Sequence, residues 1–185
     1  MVAGPNGSGK SSLSEWRNEG SLILDPDAIA RRMSLLEVKK VALAAGREVL
    51  RLRGEYLAAG LSFTVETTLA GNGSLELMRA ARVRDFQVSL IYITLDSPER
   101  NIQRVKERVA QGGHDIPGVD VRRRFARSLA NLPEAVRLAD AATLFDNSGA
   151  HPELILESRE GRVTWITDSP PEWLKGLHFP PPPPA

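Results

Sequence analysis

An α/β domain built on mostly parallel strands is what the sequence predicts, and three observations carry that prediction. Short apolar runs alternate with helical stretches along the chain, the signature of crossover units whose strands lie parallel. Residues Gly4-Pro5-Asn6-Gly7-Ser8-Gly9-Lys10-Ser11-Ser12 fit the pattern G-x-x-x-x-G-K-[ST], a strand-to-helix loop that cradles phosphate. The predicted strands end in acids, at Asp25, Glu66, Asp96 and Asp146, and ligands of open α/β sheets bind beyond that edge.

After the loop, Ser12–Arg17 continue a helix that breaks around Asn18–Gly20. Ser21–Asp25 reads as a short buried strand, interrupted by Pro26, and Asp27–Met33 look helical. Ser34 suits the N-cap of a long helix to about Ala59, closed by Gly60. Ser62–Glu66 is a second strand, Leu75–Val83 a helix, and Val88–Ile93 the strongest strand. Ser97-Pro98-Glu99 supplies an N-cap, a first-turn proline and a first-turn acid. That helix runs to Gln111 and stops at Gly112-Gly113. The loop His114–Gly118 leads into a helix over about Val119–Asn131. Ala142–Phe145 is a further strand, and Leu154–Ser158 pairs with Arg162–Ile166 as a hairpin around Glu160-Gly161.

These elements are read as one P-loop domain over residues 1–167, with 168–185 as a C-terminal segment ending in a polyproline II tail, Phe179 followed by five prolines and Ala185, expected to be a disordered, solvated terminus, with a docking motif as the alternative. Only Met1-Val2-Ala3 precede the loop, so a truncated first strand is expected.

The net charge of +1 supplies no global field, which disfavours nucleic acid and acidic membrane surfaces as partners. Cysteine is absent, excluding a disulfide framework and a cysteine metal site. No apolar run approaches the ~20 residues of a membrane span, and a loop beginning at Gly4 leaves no room for a signal peptide. A cytoplasmic protein is expected. The transporter signature Leu-Ser-Gly-Gly and the guanine motif Asn-Lys-x-Asp are missing, which disfavours transporter-type dimers and GTP switches.

The chemistry starts from the loop. Gly4, Gly7 and Gly9 let the backbone turn and present N–H groups to an anion. Lys10 is placed to reach the β- and γ-phosphates, and the Ser11 hydroxyl to sit on Mg²⁺. ATP and Mg²⁺ are therefore the expected ligands, with Gly4 through Ser12 as the nucleotide contacts. Phosphoryl transfer also needs a base for the acceptor hydroxyl and carboxylates towards the metal. The pair Asp25-x-Asp27 supplies both; Asp25 is assigned to the metal and Asp27 to the acceptor, with the reverse order open. Glu66 and Thr68 are assigned to the acceptor. Helix capping explains Asp96 and competes evenly with catalysis at Asp27.

Arg100, Arg104 and Arg108 recur at i, i+4 and i+8, opposite Ile102, Val105 and Val109. Like charges stacked this way cost about 0.2–0.5 kcal/mol per pair. A solvated face, with Glu107 relieving Arg104, and an anionic partner account for the stripe equally. In the next helix Val121, Phe125, Leu129 and Leu132 form the core side; Arg124 flanks it, while Arg123 points to solvent. Two arginine-bearing helices around Gly112–Gly118 read as a lid over the transferring phosphoryl group, with His114 at its tip in water.

Taken together, Gly4–Ser12, Leu22–Asp27, Phe63–Thr68 and Arg108–Leu132 resemble the zeta toxin family of small P-loop kinases, in particular its stand-alone zeta-like members. The likeness spans roughly Gly4 to Asn147. It implies a P-loop kinase-like, doubly wound sheet with a helical lid, and ATP- and Mg²⁺-dependent transfer to a small hydroxyl acceptor. In the better-known members that acceptor is the sugar 3′-hydroxyl of UDP-N-acetylglucosamine. The resemblance puts Lys10 and Ser11 in the phosphate and metal roles, Asp27 as base, Glu66 and Thr68 on the substrate, and Arg108 on the phosphates. Arg124 is the favoured second arginine. An antitoxin, where one exists, would be a separate chain. The lid spacing departs from the family's, which leaves the acceptor open. The competing class is an ATP-binding regulator or subunit with little phosphotransfer, favoured by the short first strand.

Overall fold

The computed structural model describes residues 1–11, 22–34, 38–113 and 115–179. The helix expected over Ser12–Arg17 and its break, the start of the long helix after Ser34, His114 and the five prolines lie outside them. The strands are β1 (Val2–Ala3), β2 (Leu22–Leu24), β3 (Phe63–Thr67), β4 (Ser89–Thr94), β5 (Ala141–Asp146), β6 (Glu153–Arg159) and β7 (Arg162–Ile166). The helices are α1 (Pro26–Met33), α2 (Val38–Ala58), α3 (Asn72–Arg82), α4 (Pro98–Ala110) and α5 (Gly118–Leu138), with a 3₁₀ turn at Glu172–Leu174. The result is the expected α/β fold with mostly parallel strands and a C-terminal antiparallel hairpin. The chain divides into two compact units, Met1–Lys10 with Thr67–Ala185, and Ser11–Glu66.

In the first unit the strands run β1-β4-β5-β6-β7. Both β1–β4 and β4–β5 are parallel, and β5–β6 and β6–β7 antiparallel. The apolar run of β4 is dictated by burial on both faces: Leu90, Tyr92 and Ile93 are buried. The two-residue β1 pairs with β4, Val2 opposite Ile91 and Ala3 opposite Tyr92, and both residues are buried. That anchors the phosphate loop one residue before Gly4. The hairpin turns at Glu160 and Gly161, both in the left-handed region at φ 49° and 74°.

Two helices differ from expectation. Helix α3 begins at Asn72 rather than Leu75, straight after an extended Gly71. Helix α5 runs through Pro133 to Leu138, past the expected end at Asn131. An interior proline removes a hydrogen bond and costs about 3 kcal/mol. Burial of Leu132, Ala135, Val136 and Leu138 offsets it, at about 25 cal/mol per Å² of apolar surface. On the exposed side of that turn, Glu134 accepts hydrogen bonds from Arg137 (2.6 and 2.8 Å) and Arg79 (2.6 Å). The Arg137 hydrogen bonds, then that of Arg79, hold its carboxyl down at about 2, from 4.5. A depressed acid stabilises the fold above its unfolded value and loses that contribution as pH falls through the folded value. Glu134→Gln is therefore expected to flatten the stability–pH curve between about 4.5 and about 2, read by denaturant unfolding; a curve parallel to wild type would remove this pair from acid stability.

In the second unit β2 and β3 are parallel, Leu22 opposite Phe63 and Leu24 opposite Val65. Of β2 only Leu24 is buried; Leu22 and Ile23 are 41% and 39% exposed, so the strand is less buried than its composition suggests. Ala45, Val49 and Leu57 form the buried stripe of α2, and Tyr56 meets Phe63 with ring centroids 5.6 Å apart. Gly60, at φ 67°, closes that helix as expected. Ser34 ends α1, its N–H donating to the Ala30 carbonyl at 3.0 Å, while the N-cap expected of it for the long helix lies outside the described residues. Among the described residues no helix is long and apolar enough to cross a membrane.

Candidate active site

The phosphate loop is shaped by three glycines and gripped by side chains from far along the chain. Gly4, Gly7 and Gly9 have φ of 146°, 79° and 100°. A Cβ at Gly4 would overlap the Ile93 carbonyl oxygen. At Gly7 it would lie 2.7 Å from the Asn101 carbonyl oxygen, and at Gly9 2.6 Å from Asn147 Nδ2. Gly4 N–H donates to the Thr67 carbonyl at 3.1 Å. Asn101 Nδ2 donates to the Asn6 carbonyl at 2.7 Å, and Asn147 Nδ2 to the Ser8 carbonyl at 2.8 Å. Lys10 Nζ, buried, donates to the Pro5 carbonyl at 2.9 Å. These donors take up carbonyl oxygens that would otherwise repel an anion in the nest. Neither Asn101 nor Asn147 stands out in the sequence, because an amide at a helix or strand end carries no periodic signal.

Arg124, on α5, reaches the loop: its Nη1 donates to Asn6 Oδ1 at 3.2 Å. Arg123 pairs with Asp120 at 2.8 Å on the solvent side, as expected. The arginine stripe of α4 is divided. Arg100 Nη1 donates to the Ser148 carbonyl at 2.6 Å and Arg104 Nη2 to the Asn147 carbonyl at 2.8 Å. Glu107 accepts from Gln103 at 2.9 Å instead of relieving Arg104. Arg108 lies in the last turn of α4, where Gly113 packs so closely that a Cβ would lie 2.7 Å from Arg108 Cγ. Between the two helices Ile116 packs with Val105 and Val121. Thr68 is half-buried after β3. Two of the acids expected at the ligand edge are committed elsewhere. Asp96 pairs with Arg100 at 3.3 Å. Asp146, buried, accepts the Trp173 indole N–H at 2.6 Å and the Ser148 N–H at 2.7 Å. Asp146 is tied up within the fold and Asp96 is paired at the surface, which the strand-end position alone does not reveal.

The second unit holds the remaining acids. Ser11 Oγ donates to Glu66 Oε1 at 3.1 Å. Asp25 is the N-cap of α1: its Oδ1 accepts the Asp27 N–H at 2.8 Å, and its Oδ2 lies 3.8 Å from Arg31. Asp27 is exposed in the first helical turn. A hydroxyl beside a carboxylate is an oxygen-only donor pair, the set Mg²⁺ takes alongside water and phosphate oxygens, so Ser11 and Glu66 fit that ion. Ser12 lies outside the described residues.

Residues 1–134, which hold the loop, both arginine helices and the acids of the second unit, match the family described as AAA domain. The chain belongs to that family. A relative of this AAA domain, an uncharacterised protein of Haemophilus influenzae, is 33% identical over 126 residues, covering 68% of this chain and 90% of that one. Among solved structures, one chain of AvrRxo1-ORF1:-ORF2 with ATP aligns at TM-score 0.71 and 15% identity, over 88% of the AAA domain chain and 58% of its own length. Another, from the PezAT chromosomal toxin-antitoxin system of Streptococcus pneumoniae, aligns at 0.62 and 14%, over 84% and 69%. At these identities the likeness is one of fold. The AAA domain chain spans little more than half of the AvrRxo1 chain.

Proposed function

We propose that this AAA domain is an ATP- and Mg²⁺-dependent phosphotransferase of zeta-toxin type, acting in the cytoplasm on a hydroxyl of a small acceptor, with UDP-N-acetylglucosamine the first candidate. The observation that carries the reading is Arg124 on Asn6. A second helix brings a cation to the phosphate loop, the arrangement that stabilises charge on a transferring phosphoryl group and is worth about 10³–10⁵ in rate in well-studied systems. A protein that only binds nucleotide has no need of it.

In this reading Gly4 through Ser12 bind the phosphates, and Lys10 leaves the Pro5 carbonyl for the β- and γ-phosphates. Arg108 and Arg124 hold the transferring group. Ser11 and Asp25 stand on the metal side, and the Ser11 contact adds a metal-side role for Glu66 to the acceptor contact it shares with Thr68. Mg²⁺, when bound, supplies charge neutralisation on the phosphate oxygens. Asp27 takes the acceptor's hydroxyl proton as that oxygen bonds to the γ-phosphorus and the bond to the β-phosphate oxygen breaks, releasing ADP. The capping bond occupies the Asp25 carboxylate and favours Asp27 as the base. The ATP in the AvrRxo1 structure and the toxin–antitoxin pairing of PezAT support ATP as donor and a separate antitoxin chain as a partner.

The test is direct. Purified protein with γ-labelled ATP and Mg²⁺ is expected to transfer label to one compound of a small-metabolite extract, with UDP-N-acetylglucosamine assayed alone alongside. ATP binding without label in any acceptor, across extracts, would favour the regulator or subunit class.

A further inference from the structure

Beyond the family match at residues 1–134, the side chain of Asn147 reaches back to the phosphate loop. Its Nδ2 donates to the Ser8 carbonyl at 2.8 Å, and Gly9 leaves just enough room for the same amide. Ser8 is fully buried, so no water replaces that donor without rearrangement. The turn that presents Asn147 is tied at every residue. Asn147 N–H donates to the Thr94 carbonyl at 2.8 Å, and Arg104 holds the Asn147 carbonyl at 2.8 Å. Ser148 Oγ accepts the Asp96 N–H at 2.7 Å. Asp146 bridges two elements: Oδ1 accepts Ser148 N–H at 2.7 Å and Oδ2 accepts Trp173 Nε1–H at 2.6 Å. Trp173, in the 3₁₀ turn after the hairpin, is buried and packs on Tyr92 with ring centroids 6.3 Å apart.

We propose that Trp173 and Asp146 are positioning residues for nucleotide binding: acting through Asn147, they fix the Ser8 carbonyl and with it the Ser8–Gly9 turn of the phosphate loop. Packing alone does not explain the choice of side chains. A buried carboxylate is costly unless its oxygens are hydrogen-bonded, and the ring contact of Trp173 with Tyr92 requires no N–H. The indole N–H and the two carboxylate oxygens are used to set the turn, and the turn meets the loop through the Asn147 amide. The inference rests on the nucleotide-binding part of the function proposed above.

Trp173→Phe keeps an aromatic ring, smaller than the indole, and removes the N–H. It is expected to raise the Kd for ATP about 5-fold or more, the lower end of the cost of orphaning a buried charged acceptor, measured by titration calorimetry on the full chain. Asn147→Ala is expected to weaken ATP by a similar factor. The double variant is expected to be no weaker than Asn147→Ala alone, since both act through one route. Should Trp173→Phe fail to fold, Asp146→Asn, of the same shape with one acceptor lost, carries the same expectation. A purely structural role would lower the melting temperature and leave the Kd of the folded protein unmoved. Wild-type affinity in the folded Trp173→Phe protein, or additive losses in the double variant, overturns the proposal while ATP binding that Lys10→Ala removes keeps the nucleotide reading. Absence of ATP binding in wild type overturns both.

Discussion

Gly4→Ala is expected to abolish nucleotide binding and to lower stability by more than about 3 kcal/mol, a size reserved for clashes and strain in a packed core. Its φ of 146° is one that a side chain rarely adopts, and the Cβ would overlap the Ile93 carbonyl oxygen. That oxygen belongs to a fully buried residue of the strand that holds β1, so it has nowhere to move. Gly7→Ala meets backbone too, the Asn101 carbonyl at 2.7 Å, on a helix that can tilt slightly. Gly9→Ala meets a side-chain amide, Asn147 Nδ2 at 2.6 Å, which can rotate away at the cost of its bond to Ser8. Stability losses are thus ordered Gly4, Gly7, Gly9, whereas nucleotide binding suffers in all three. Gly46→Ala is the control. It stands in the interior of α2 with nothing within 4 Å of its Cβ, and is expected to stabilise by about 0.5–1 kcal/mol. Denaturant midpoints with ATP titrations on the four proteins check the order. A Gly4→Ala protein with the wild-type midpoint would mean that the loop is not held as the structure has it.

The phosphate loop is legible in the sequence because its glycines answer to backbone conformations that few other residues tolerate. Its supports are not legible. Asn101 and Asn147 lie 95 and 139 residues from their partners in the loop, and an amide gains its meaning only from the carbonyl it meets. The same holds for acids. Strand-end position marks Asp25, Glu66, Asp96 and Asp146 alike, yet Asp146 is bound to Trp173 and Asp96 to Arg100. Which strand-end acid is open to a ligand depends on tertiary neighbours. Local rules succeed where one element decides the outcome: Ser97-Pro98-Glu99 starts α4, and Gly60 ends α2. They fail where packing outweighs propensity, as when α5 carries Pro133 in its interior.

Asp27→Asn is expected to lower kcat by about 10²–10⁴, the usual contribution of a general base, with ATP affinity unchanged. The carboxamide keeps the shape of the side chain and removes the proton acceptor. Its backbone N–H still bonds Asp25 Oδ1, so α1 keeps its cap. The comparison that gives the result meaning is Asp25→Asn. Asparagine caps helices as well as aspartate does, so this change removes the charge and keeps the helix start, and its effect on kcat reports metal-side charge alone. Asp25→Ala loses both and is expected to cost a further 0.5–2 kcal/mol of stability, roughly the worth of a side-chain cap. If Asp27 is the base, Asp27→Asn falls far below Asp25→Asn in kcat, and raising Mg²⁺ towards saturation recovers part of the Asp25→Asn loss only. The opposite ranking, with Asp27→Asn near wild type, assigns the proton transfer to Asp25 and leaves Asp27 as a first-turn helix acid.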